Sequence, residues 1–111
     1  MDMRIIPQLD VHQLKARLQS ADDKPLLLDV REGWELKLCA LQGALHIPMG
    51  QITARLNELD PQRAIVVVCH HGIRSNRVAQ FLSHQGFHNV SNLVGGVNAW
   101  AREVDPTMKT Y

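Results

Sequence analysis

The stretch AIVVVCHHGIRSNRVAQFL, Ala64 to Leu82, decides the fold. Four aliphatic residues, Ile65 to Val68, run without interruption into Cys69. A β-branched run with no polar member reads as a strand buried on both faces, the kind found in parallel sheets. A short loop follows: His70, His71, Gly72, Ile73, Arg74 and Ser75. From Ser75 onward Val78, Ala79, Phe81 and Leu82 recur at helical spacing, and Gly86 ends the helix. A thiol therefore closes a buried strand at the mouth of a helix.

Outward from this unit the same alternation repeats. On the N-terminal side, Arg4 to Ile6 is expected as a short edge strand. Asp10 is placed to cap a helix carrying Val11, Leu14 and Leu18. PLLLDV, Pro25 to Val30, is a short apolar run bounded by charge and reads as a second buried strand. REGWELKLC predicts a short helical stretch, and GALHIP, Gly43 to Pro48, an extended piece. QITARLNEL puts Ile52, Leu56 and Leu59 on one helical face before Asp60-Pro61 stops it. On the C-terminal side, HNVSNL predicts a further strand, GGVNAW opens a last helix with Val97, Trp100 and Ala101, and Pro106 to Tyr111 reads as an irregular tail. Strands alternating with helices specify an α/β domain with a central, mainly parallel sheet of about five short strands and helices on both faces. In such sheets ligands bind beyond the carboxyl ends of the strands, where Cys69 lies.

At 111 residues the chain is expected to form a single domain, with its core at about 9–104. A composition of 45% hydrophobic and 21% charged residues is that of a globular protein. The net charge of +1 and the lack of a basic patch argue against nucleic acid as a partner. No apolar run reaches the roughly 18 to 20 residues that span a bilayer. The N-terminus, MDMRIIPQLD, lacks the apolar core of a secretory signal. Two cysteines, Cys39 and Cys69, do not make a disulfide framework, so a reducing, cytoplasmic setting is expected.

A free thiol titrates near pH 8.5, and the thiolate is the nucleophile. A helix N-terminus offers unpaired N–H donors and about half a positive charge, and both favour the anion. Gly72 allows the loop a backbone conformation that a side chain would penalise. Ser75 is expected to cap the helix through its hydroxyl. Arg74 and Arg77 add cationic charge at the helix start, and Arg74, inside the loop, is the better placed. Its planar fork suits an oxyanion such as thiosulfate or phosphate. Cys, Gly, Arg and Ser within seven residues form an anion cradle, whereas a buried inert cysteine would need none of the loop's polar groups.

CHHGIRS resembles the active-site loop of the rhodanese family of sulfurtransferases. LLLDVREGWELKLCALQGALHIP resembles the family's N-terminal signature, and LVGGVNAW its C-terminal one, so the resemblance runs in order from about Leu9 to Trp100. It is nearest to the single-domain bacterial rhodaneses. The resemblance implies that Cys69 attacks the sulfane sulfur of thiosulfate or a persulfide and becomes a persulfide itself, which a thiophilic acceptor such as cyanide or a thiol then discharges. The loop amides from His70 to Ser75 would stabilise the anions. No cofactor or metal is implied, and neither nucleic acid nor membrane is a partner.

Three other functions stand beside this one. Rhodanese-like folds also serve as non-catalytic binding or regulatory modules, although those typically lack the cysteine. A sulfur carrier that hands its persulfide to a partner protein shares the first step. Small phosphatases and arsenate reductases use a loop one residue longer than the four residues between Cys69 and Arg74 here; by that family comparison the shorter ring suits a single transferred sulfur. Around the site, Asp29 is expected as structural support and Arg31 either as structural or at the pocket rim. His70 and His71 are expected to point outward and shape the entrance, with a general base as the alternative. Cys39 is either a packed core thiol or a resolving partner for Cys69. Trp34 and Trp100 are read as packing residues, and Met49 as either pocket lining or core.

Overall fold

A computed structural model of the chain describes residues 5–20, 22 and 24–111. Five parallel strands form one sheet in the order β1-β5-β4-β2-β3. They are β1 (Gln8–Leu9), β2 (Leu26–Asp29), β3 (Leu45–His46), β4 (Ile65–Val68) and β5 (Val90–Leu93). The helices are α1 (Val11–Gln19), α2 (Gly33–Leu36), α3 (Ile73–His84) and α4 (Gly96–Glu103). The uninterrupted apolar run becomes the central strand, β4, flanked by β2 and β5 and buried at all four positions.

Side chains alternate across that strand, as the pleat requires. Ile65, Val67 and Cys69 face one layer with Leu28, Val78, Ala79 and Leu82, so α3 covers that side. Val66 and Val68 face the other with Val11, Leu14, Leu93 and Val97, so α1 and α4 cover that side. The sheet is therefore sandwiched between helices, as the strand–helix alternation predicts. β2 and β4 run in register, with Leu28 opposite Val67 and Asp29 opposite Val68, so the carboxyl ends of both strands reach the same edge. α1 opens on a capping box: the Asp10 carboxylate accepts from the Gln13 amide and the Gln13 side chain accepts from the Asp10 amide.

Three local expectations are corrected. The edge strand is Gln8–Leu9, where the chain pairs with Asn92 and Leu93, whereas Ile6 enters the core ahead of it and Arg4 lies outside the described residues. QITARLNEL does not form one helix. It makes two 3₁₀ turns, Met49–Gln51 and Leu56–Glu58, yet buries Ile52 and Leu59 as the helical pattern implied. Gly50, Thr53 and Asn57 are weak helix formers, and packing fixes the apolar contacts without a continuous helix. Helix α3 starts at Ile73, two residues earlier than the apolar pattern suggested, so Gly72 is its N-cap. Among the described residues no helix is long and apolar enough to cross a membrane.

Leu28 is wholly buried between β4 and the α3 layer. Leu28→Ala is expected to cost about 2–5 kcal/mol in denaturant unfolding. The midpoint should fall with little change in the slope of the transition.

Candidate active site

Cys69 follows β4 directly, and the chain turns at once into α3. Gly72 makes that turn possible: its φ of +100° lies in the left-handed region. The turn brings two amides onto the sulfur. Cys69 Sγ accepts from the Gly72 N–H at 3.1 Å and from the Ser75 N–H at 3.3 Å. The thiol in turn reaches Ser75 Oγ at 3.2 Å. Donors at the first turn of a helix are thus aimed at the atom that carries charge as a thiolate. Cys69 itself is enclosed, with 1% of its surface accessible, so an incoming group reaches the sulfur only as the enclosing side chains move.

Ser75 is not the helix cap. It sits buried in the first turn, and its hydroxyl donates to Asn92 Oδ1 on β5. Asn92 Nδ2 then donates to the Gly72 carbonyl at 3.2 Å and to Gln8 Oε1 at 2.9 Å. Asn92 therefore fixes both ends of the turn, the glycine and the serine, from beneath. The sequence offers one signal for it, an amide within a strand whose four residues are all buried; a buried polar group of this kind needs partners.

Helix α4 holds the loop from the other side. Val97 N–H donates to the Cys69 carbonyl at 3.0 Å and Asn98 N–H to the His70 carbonyl at 3.1 Å. This contact needs the double glycine. A Cβ on Gly96 would lie 2.3 Å from the Cys69 carbonyl oxygen, and Gly95 and Gly96 both have positive φ, +79° and +57°. The last helix thus approaches so closely that its first amides close the loop's hydrogen bonding.

The expected cation is not free. Arg74 turns across to α2 and forms a two-pronged ion pair with Glu35, Nη1 to Oε2 and Nη2 to Oε1, both 2.8 Å. Glu35 is buried, and its carboxylate also accepts from the Glu32 amide at 2.8 Å and from the Tyr111 hydroxyl at 2.8 Å. Arg74 above all, then the Glu32 amide and the Tyr111 hydroxyl, hold the Glu35 carboxyl down at about 2 against the cost of its burial.

Arg31 is corrected as a rim residue: it is fully buried. Its backbone N–H and Nε donate to Asp29 Oδ1, and Nη2 donates to Asp29 Oδ2 at 2.7 Å. The remaining donors go to the Cys39 carbonyl at 2.8 Å and the Tyr111 hydroxyl at 3.0 Å. Asp29 is thus buried as the ion-pair partner of Arg31. Cys39 packs against the α1–α4 layer, whereas Cys69 belongs to the α3 layer across the sheet.

The irregular tail contributes Tyr111. Its hydroxyl accepts from Arg31 and donates to Glu35, joining the two ion pairs, and burial, ahead of these contacts, pushes its phenol up to about 12. Its ring stacks on His70 with centroids 3.8 Å apart and 2° between planes. His70 is therefore half-buried under the tail and does not point outward, while His71 is exposed as expected. Burial, with His71 alongside, lowers the His70 pKa and so disfavours the imidazolium. Trp34 is mostly exposed and meets Tyr111 edge-on at 6.2 Å. Trp100 packs against the α1–α4 layer. Met49 lines a small groove over α3 with Ile52, Arg77 and Phe81. Glu35, Tyr111, Asn92 and Gln8 are site residues the sequence reading did not single out.

Fold and loop together define a parallel α/β domain with a cysteine in a loop of amides at the carboxyl edge of its central strand. Residues 10–103 match the model of the rhodanese-like domain, and the chain belongs to the rhodanese family. It is 36% identical over 98 residues to a sulfurtransferase of Allochromatium vinosum, an alignment covering 88% of this chain and 91% of that one. It is 35% identical over 100 residues to YrkF of Bacillus subtilis, covering 90% of this chain but 54% of YrkF, so the chain spans about half the length of that relative. Among solved structures it is similar to the protein SSP1007 of Staphylococcus saprophyticus, with a TM-score of 0.81, 29% identity, and 89% of this chain and 97% of that chain covered.

Two outcomes follow from this geometry. Gly96→Ala places a methyl group against the Cys69 and His70 carbonyls and forces a strained φ. It should destabilise the fold by at least about 1–3 kcal/mol by thermal unfolding and slow thiol alkylation or sulfur loading of the folded fraction. Glu35 is depressed from 4.5 to about 2, so its contribution is fully present above pH 4.5 and is lost as pH falls toward 2. Acid unfolding should show on the order of 3 kcal/mol lost over that window, and Glu35→Gln should lack that component.

Proposed function

We propose that this chain is a sulfurtransferase in which Cys69 carries the transferred sulfur as a persulfide. The observation that carries this reading is the pair of helix-start amides, Gly72 and Ser75, aimed at Cys69 Sγ. In the first half-reaction the thiolate attacks the outer, sulfane sulfur of thiosulfate or of an organic persulfide. An S–S bond forms at Cys69, the donor's S–S bond breaks, and sulfite or a thiolate leaves with the bonding pair. In the second, cyanide or a thiol attacks the outer sulfur and restores the Cys69 thiolate. With thiosulfate as donor the negative charge of the loop stays on the enzyme's sulfur throughout, either at Sγ or one atom further out. The amides of Gly72 and Ser75 serve the first position, and the neighbouring amides of the same loop serve the second. His70, stacked under Tyr111, is not needed as a base, because a thiolate nucleophile has no proton to give up.

Retention of the cysteine and its two donors weighs against a purely binding role. The loop, one residue shorter than that of the related phosphatases and arsenate reductases, favours sulfur over a tetrahedral oxyanion. Donor and acceptor are small molecules in this reading, and a partner protein is a further acceptor of the same kind.

Brief incubation with thiosulfate or glutathione persulfide, followed by intact mass measurement, should add the mass of one sulfur atom to the wild-type chain. Cyanide should remove it and yield thiocyanate. Cys69→Ser should gain none, while Cys39→Ser should load as the wild type does. Sulfur that persists in Cys69→Ser, or its absence from the wild type with both donors, would sink the assignment.

A further inference from the structure

Resting on the proposed sulfur-transfer reading, we infer that Glu35 determines donor choice. By occupying Arg74 it turns the site away from small dianions such as thiosulfate and toward the sulfane sulfur of an organic persulfide, R–S–SH. Thiosulfate carries two negative charges and must approach a thiolate that already carries one. Such an encounter requires a cation with unsatisfied donors beside the sulfur. Arg74 is the arginine within the loop, and the end-on fork of its guanidinium, the face that grips an oxyanion, is filled by the Glu35 carboxylate.

That carboxylate cannot readily swing aside. It is buried and held at the same time by the Glu32 amide and the Tyr111 hydroxyl. The other guanidinium, Arg31, is fully buried and is committed to Asp29. The two arginines and two carboxylates therefore form a neutral cluster, and the N–H groups that donate to Cys69 Sγ are those of the Gly72 and Ser75 main chain. Those suffice for one negative charge on sulfur but offer no grip on a sulfonate group.

A second observation concerns the rim. Ile73 and Trp34 are 68% and 61% exposed, and each directly precedes a member of the ion pair, Arg74 and Glu35 respectively. Exposed apolar side chains beside a neutralised arginine suit the carbon skeleton of an organic persulfide better than a compact hydrated dianion. The step balances without any other reactant. The Cys69 thiolate takes the outer sulfur of R–S–SH with its hydrogen, the S–S bond breaks, and R–S⁻ departs with the electron pair. Low-molecular-weight persulfides and persulfidated cysteine peptides both carry this sulfane sulfur.

Steady-state kinetics of the full chain with thiosulfate, glutathione persulfide and a persulfidated cysteine peptide, across a range of ionic strength, tests the assignment. Wild-type kcat/KM is expected to be at least about tenfold lower for thiosulfate than for a persulfide, and nearly independent of salt. Glu35→Gln keeps the shape and the hydrogen bond from Tyr111 but frees the Arg74 charge. It should raise kcat/KM for thiosulfate about tenfold, mainly through KM, and make it fall with salt. The ratio of thiosulfate to persulfide kcat/KM should rise about tenfold over the wild type, whatever the change in overall turnover. The ratio between the two persulfides identifies the source. A thiosulfate-to-persulfide ratio in Glu35→Gln that equals or falls below the wild-type ratio overturns the inference. So does a wild-type thiosulfate rate that drops steeply with salt, a reading that needs no variant to fold. Failure of every donor to load Cys69 overturns the proposed function as well, whereas equal preference among donors overturns this inference alone.

Discussion

Two main-chain amides on one sulfur atom set the terms for the rest of this structure. For Gly72 and Ser75 to point their N–H groups at Cys69 Sγ, the chain must leave the central strand and enter a helix within three residues. That turn requires a left-handed residue, hence glycine at 72. It leaves the Cys69 and His70 carbonyls facing α4, whose first amides accept the task of satisfying them, and that close approach requires glycine at 96. It also leaves the Gly72 carbonyl and the Ser75 hydroxyl facing β5, where Asn92 meets both. Backbone groups buried this deeply need partners. Three separate elements supply them, and the cradle's shape is set before any donor arrives.

The side chains around the cradle follow a different logic. Two ion pairs, the buried Asp29–Arg31 and the half-buried Glu35–Arg74, are tied by the Tyr111 hydroxyl, which accepts from one pair and donates to the other. Buried pairs contribute little net stability over apolar packing, but breaking one leaves an uncompensated charge. Such a network therefore acts chiefly to fix geometry. Here it anchors the short helix α2 and the final residue to the active loop, and it presents a neutral face where an open arginine would present a positive one. The stacking of Tyr111 on His70 extends the same tail over the loop.

Most of the scaffold was legible in the sequence because its signals are local. The Ile65–Val68 run, the thiol that ends it, the glycine in the loop and the apolar spacing of the following helix all fall within nineteen consecutive residues. The pattern was weaker where backbone and packing part company. Ile52 and Leu59 are buried at helical spacing, yet the segment between Met49 and Glu58 is held in 3₁₀ turns. What the sequence hid was the company each polar residue keeps. Arg74 looked like a free cation because its partner is 39 positions away, and Tyr111 looked like the end of an irregular tail because its partner Glu35 is 76 positions away. Arg31 looked able to reach the rim because nothing in DVR shows that the side chain folds back onto Asp29, two residues before it. Long-range polar contacts leave no periodicity, so they appear only once the sheet order brings their elements together.

The central claim is that the Gly72 and Ser75 amides bear directly on the charge at Cys69. Following those two amide protons by nuclear magnetic resonance while the thiol is titrated tests it without any substrate. The account predicts that both signals move downfield together as the Cys69 thiolate forms, tracking its ultraviolet absorbance, and that neither moves so in Cys69→Ser. Amide signals that ignore the ionisation of Cys69, or that shift equally in the serine variant, would contradict it.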